Sequence, residues 1–241
     1  MNQPKQFFKG MLYTLTLGML YLLICPAILA LILKDFLLSD NFWISNIAYL
    51  VLYLITFGII FLIIRKEIIK QFKEFLKKPK EIINKGLSCW GYGLLVMIVS
   101  NLFISSFVNN ISVNEQMARE SLFEFPIYAI PVTILIGPFL EEIIFRFALR
   151  KSFNKKTVYA LTSAFIFGLL HVLTAIDEYT IANLLNHWKE FLFIIPYGSL
   201  GYFFAKAYYE TDNIFSSIIP HVLHNSLSVA LVLLSSFLLG G

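Results

Sequence analysis

Charge is what this 241-residue chain has least of: 14% of its residues are Asp, Glu, Lys or Arg, against 58% hydrophobic ones. A soluble globular domain carries about a quarter charged residues, so that class is excluded and an integral membrane protein is indicated. Cysteine is almost missing too. Cys25 and Cys89 sit inside apolar runs and not at ligand spacing, so they read as packing residues and no disulfide is expected. There is no suitable Gly-x-Ser-x-Gly elbow, no intramembrane Asp pair and no His-Glu-x-x-His, which removes the local signatures of serine, aspartyl and zincin hydrolases. Nothing marks a linker, repeat or low-complexity segment, so residues 1–241 read as a single membrane domain.

What remains is apolar runs. A spanning helix needs about 20 mainly apolar residues. Seven segments qualify or nearly do, around 11–33, 43–64, 87–108, 127–149, 158–175, 191–208 and 214–239. The expected fold class is all-α, a polytopic membrane helix bundle of about seven transmembrane helices. Residues 1–126 hold three generic spans with a basic cytoplasmic loop at 65–85, and 127–239 hold the helices with unusual polar residues. The first run comes after Lys5 and Lys9 and is too long for a cleavable leader, so it reads as a retained signal anchor.

Of the 19 Lys and Arg, only Lys34, Arg119 and Lys189 fall in one set of loops and only Arg146 inside a span; the rest, from Lys5 to Lys206, share the other side. The positive-inside rule makes this N-in, C-out, in the cytoplasmic membrane. The 65–85 stretch reads as a charged loop that fixes topology. An amphipathic surface helix broken at Pro79 is the alternative, and no nucleic-acid partner is required. Glu115, Glu120, Glu124, Asp177, Glu178 and Glu190 form a solvated outer surface, and His187 an interfacial residue.

Against this background, Glu141, Glu142 and Arg146 stand out inside the fourth span. A charge at the bilayer centre costs about 2.5–3.5 kcal/mol even on insertion scales, so such groups are usually functional. Glu142 and Arg146, spaced i, i+4, can pair on one face. Glu141 projects about 100° away and needs a partner elsewhere. The fifth span supplies His171, with Gly168 allowing a neighbouring helix close, and the seventh supplies His221 and Asn225 on one face after Pro220. The sixth, with Gly198, Ser199 and Gly201, reads as a close-packing helix. At 1.5 Å rise per residue Glu141 and His221 lie about 13 Å and about 12 Å from the cytoplasmic end, whereas His171 lies about 20 Å deep. A site opening toward the cytoplasmic half is expected.

Glu and His together are general-base material. Glu141 and His171 can activate a water, and His221 and Asn225 can donate to the oxyanion formed when that water attacks a peptide carbonyl. A zinc variant with Glu141, His171 and His221 as ligands is the alternative, and the metal-free form is favoured. Other classes also accommodate these residues: a proton-coupled transporter, or a non-catalytic peptide-binding or immunity protein.

Glu141-Glu142-Ile-Ile-Phe-Arg146, Phe167-x-x-x-His171 and His221-x-x-x-Asn225, in that order, resemble the motifs of the CPBP family. These are the CAAX proteases and bacteriocin-processing enzymes also called the Abi family. The resemblance covers about 137–230. It implies an intramembrane endopeptidase in which Glu141 and His171 activate the water and His221 and Asn225 serve the oxyanion, with Glu142 and Arg146 in support. The family has been described both as metal-dependent and as glutamate-dependent. The richness in Ile, Lys, Asn and Phe suggests an AT-rich bacterial genome, where a peptide precursor or membrane protein is the expected substrate, and the resemblance also allows a role in bacteriocin immunity. His224, three residues after His221, is a second candidate for the same role.

Overall fold

A computed structural model describes residues 3–173 and 181–239. Asp177 and Glu178, expected on the outer surface, lie outside the described residues. The described chain is helical, with no strand among its elements. Among the described residues, six helices are long and apolar enough to cross a membrane: α1 (Pro4–Ile32), α2 (Phe42–Lys77), α3 (Pro79–Ser105), α5 (Pro126–Ala148), α6 (Lys156–Leu173) and α8 (Phe215–Leu239). Between them lie α4 (Val113–Glu124) and α7 (Ile194–Thr211). Large apolar side chains such as Leu31, Leu62, Leu102 and Phe237 face outward, as lipid contact requires.

Caps and prolines set the boundaries. The Asn41 side chain accepts from the amides of Trp43 and Ile44 and starts α2, while Ser112 accepts from Glu115 N–H and starts α4. Pro79 and Pro126 occupy first turns, where a missing N–H costs nothing. α7 ends at Asp212 in the left-handed region, φ 51°, a conformation that Asp tolerates better than most residues.

Two boundaries differ from expectation. The predicted 65–85 loop is instead the end of α2 and the start of α3, parted only at Lys78. Ile64 and Ile68 are buried there and Phe75 contacts Phe215, so one face of α2 stays packed after its hydropathy falls. The segment expected to span at 191–208 forms a 3-10 turn, Trp188–Phe193, and then α7. α7 is not among the six. It lies between α3, α6 and α8 with Phe204, Ala205 and Ala207 fully buried, and a helix surrounded by protein can carry Lys206 and Glu210. The expected close packing is present: a Cβ on Gly168 would stand 2.6 Å from the Ile194 carbonyl oxygen, and one on Gly198 3.1 Å from that of Ala164.

α5 is interrupted by π-turns at Val132–Ile136 and Ile143–Ala148, with an α-helical Gly137–Glu142 between them. Pro131, which has no N–H to give, directly precedes the first. Each π-turn inserts a residue and rotates the next stretch of helix about its axis, a device frequent at functional sites. The two adjacent glutamates occupy the segment so framed.

Candidate active site

The arrangement begins with Glu142 and Arg146. Both are fully buried, with Glu142 Oε2 3.0 Å from Arg146 Nε, so the pair expected from the i, i+4 spacing forms. The contact is poorly aligned for a hydrogen bond. The guanidinium is instead sandwiched against Phe167, 4.6 Å from the ring centre, and Phe204 at 5.8 Å, where the ring faces offset part of its desolvation.

The other oxygen of Glu142 reaches across 79 residues of sequence. Glu142 Oε1 accepts from His221 Nδ1 at 2.8 Å. Phe204 stacks on the imidazole at 5.0 Å and fixes its plane. With Nδ1 committed to Glu142, His221 Nε2 faces Glu141 Oε2 at 3.7 Å. Arg146 and His221 thus face the carboxylates of Glu142 and Glu141.

A cavity of about 670 Å³ opens over this cluster. Glu141, His171, His221 and Asn225 all line it. His171 Nδ1 lies 2.8 Å from the Phe167 carbonyl oxygen, so it carries the proton and Nε2 is the basic nitrogen. The His171 ring stacks on Tyr197 with centres 4.7 Å apart. Asn225 Nδ2 donates to the Thr133 carbonyl at 2.8 Å, inside the first π-turn of α5. His224 also lines the cavity, but its Nδ1 accepts from Trp90 Nε1 at 3.4 Å; His221 is the imidazole that faces both carboxylates. Outside the cavity, His187 Nδ1 meets the Asn183 carbonyl oxygen at 2.9 Å.

The cavity also extends away from the basic turn at Lys78. Its wall continues from Glu141 back along α5 to Thr133 and Val132, and from His221 forward along α8 to Val229 and Val232. It then reaches α4 at Glu115 and Arg119. α5 and α8 run antiparallel, with Ala129, Val229 and Val232 in one apolar cluster, so all of these residues lie on the side away from the basic turn at Lys78. His171, two residues from the end of α6, lies toward that same side, which accounts for the depth at which the sequence places it.

Three contacts were not anticipated. Glu142 as the anchor of His221, Thr133 as the acceptor for Asn225 and Tyr197 as the platform of His171 are contacts between distant segments. A polar atom inside an apolar run was their sole available signal. As for zinc, no group of three His, Cys, Asp or Glu stands close enough to hold a metal ion among the described residues.

Residues 123–227 match the family model described as type II CAAX prenyl endopeptidase Rce1-like, and this stretch contains all four cavity residues as well as Glu142 and Arg146. An uncharacterised protein of Mycoplasma capricolum subsp. capricolum is 24% identical over 189 residues, covering 73% of this chain and 50% of that relative. The chain thus spans about half the length of the relative it matches. No solved structure matches significantly.

Proposed function

With residues 123–227 matching the Rce1-like family of type II CAAX prenyl endopeptidases, we propose that this multi-pass membrane protein is an intramembrane endopeptidase whose water is activated by Glu141 and His171. The observation that carries the reading is the convergence of four polar side chains from three helices on one cavity, with Glu141 3.7 Å from His221.

In the proposed reaction, a water between Glu141 and His171 Nε2 loses a proton as its oxygen attacks the peptide carbonyl. The carbonyl oxygen becomes an oxyanion and takes hydrogen bonds from protonated His221 Nε2 and from the second N–H of Asn225. The proton then passes to the leaving amine. Glu142 and Arg146 act through His221: the carboxylate accepts from Nδ1–H and orients the ring, and the guanidinium lies against the other oxygen of Glu142. No step is routed through a metal. A peptide precursor or membrane protein is the proposed substrate, in a bacterial cytoplasmic membrane; peptide maturation and bacteriocin-related processing are two uses of that chemistry.

Glu141→Gln keeps the shape of the side chain and removes the base, so cleavage falls by about 10²–10⁴-fold. The measurement compares peptide termini in membranes carrying the intact or substituted protein at equal expression, with a metal chelator in a parallel arm. Undiminished cleavage by the variant refutes the role of Glu141, and loss of cleavage with chelator refutes the metal-free reaction.

A further inference from the structure

Arg119 is the only Lys or Arg among the described residues that line the cavity, because Arg146 is sealed beneath it with no exposed surface. It projects from α4, which the two π-turns of α5 and the C-terminal half of α8 leave as the far wall from Glu141. α4 is fixed in place. Ser112 Oγ and Tyr197 Oη are 2.8 Å apart, Asn114 Nδ2 donates to Tyr197 Oη at 3.2 Å, and Val113 N–H donates to Glu190 Oε2 at 3.2 Å. The Tyr197 ring that receives α4 is the one stacked on His171, so the position of α4 is referred to the reacting centre through one side chain.

Arg119 spends only part of its donor capacity on its own helix. Nε donates to Glu115 Oε1 at 2.9 Å, which leaves the two terminal amino groups as an open edge. Two parallel N–H groups on a planar cation suit a carboxylate. The same cavity wall carries Asn114 and Glu115 beside the apolar Leu122, Val132 and Val229, and the apolar ones suit the hydrocarbon parts of a peptide.

We propose that Arg119 is a specificity residue that binds a carboxylate of the substrate, placing the scissile bond at a fixed distance from Glu141. This rests on the endopeptidase reading. The carboxylate is either the C-terminus of the peptide or an Asp or Glu side chain.

The test uses the full-length protein in lipid nanodiscs and mixed-sequence peptides made as free acids and as C-terminal amides, each with and without internal Asp and Glu. Products are identified by mass spectrometry. The intact protein is expected to favour peptides with a carboxylate. Arg119→Gln raises KM for those by roughly tenfold to a hundredfold, with kcat nearly unchanged and carboxylate-free peptides unaffected. Arg119→Lys restores part of the loss. A preference that tracks the free acid assigns the C-terminus, and one that tracks internal Asp or Glu assigns a side chain. Equal cleavage of all sets by the intact protein, or an acid preference that survives in Arg119→Gln, overturns the inference and leaves the endopeptidase reading standing. No cleavage of any set by the intact protein overturns that reading, and the inference with it.

Discussion

At the scale of the residue, the site is built on a charge arrangement that tolerates no vacancy. Glu142 bridges Arg146 at 3.0 Å and His221 at 2.8 Å with no exposed surface. Removing one partner of such a buried pair leaves an uncompensated charge and costs about 3–5 kcal/mol, whereas removing both is often near neutral. Glu142→Gln or Arg146→Met alone is therefore expected to lower the unfolding midpoint in detergent sharply. The double replacement recovers much of the stability but not the activity, since the acceptor facing His221 Nδ1–H is then a neutral amide oxygen and the hydrogen bond that orients the ring is no longer charge-assisted. Additive losses in a double-mutant cycle contradict the pairing. The Glu142–Arg146 contact was legible in the sequence because it is local, set by i, i+4 spacing. The contacts of His221 with Glu142 and of Asn225 with Thr133 join α8 to α5 across the bundle, where spacing along the chain carries no information.

At the scale of the element, hydropathy located the spans and missed what interrupts or extends them. Along α5 nearly every position is apolar, so a π-turn changes which face a residue takes without disturbing any visible pattern; Pro131 alone hinted at it. α2 runs on to Lys77 because helix propensity and one packed face persist after the apolar run ends, and α7 stays helical with Lys206 and Glu210 because its neighbours are protein. The same helix shows what joins elements at their polar ends. Glu210 pairs with Lys156 at the start of α6 and with Lys85 of α3, the latter at 2.5 Å. Partial burial pushes the Glu210 carboxyl up, but the two ammonium groups bonded to it outweigh that and hold it below the ordinary carboxylate value. Its stabilising contribution is therefore full above about pH 4.3, the unfolded value, and is lost as pH falls through the lower folded one. Thermal unfolding in detergent across that acid range is expected to show a steeper fall for the intact protein than for Glu210→Gln; parallel curves would deny the clamp any net effect.

At the scale of the whole molecule, the sequence assigns the basic residues to one side, while the cavity extends toward the other, and together these set the side from which the proposed substrate is expected to enter. Lys73, Lys78 and Lys151 mark the cytoplasmic side by the positive-inside rule, and α4, with Glu115 and Arg119 in the cavity wall, lies at the opposite end of α5 and α8. An N-in, C-out chain would place this end of the cavity toward the outer face, as the proposed endopeptidase would need for a peptide or membrane segment reached from that side. Cys25 and Cys89 are both buried, so single-cysteine variants built after replacing them with Ala report position cleanly. In intact cells, a membrane-impermeant maleimide is expected to label Arg119→Cys and to leave Lys73→Cys untouched until the cells are opened. The reverse pattern would invert the chain. Its cavity would then face the cytoplasm, and a substrate with a carboxylate for Arg119 would have to be a cytoplasmic one.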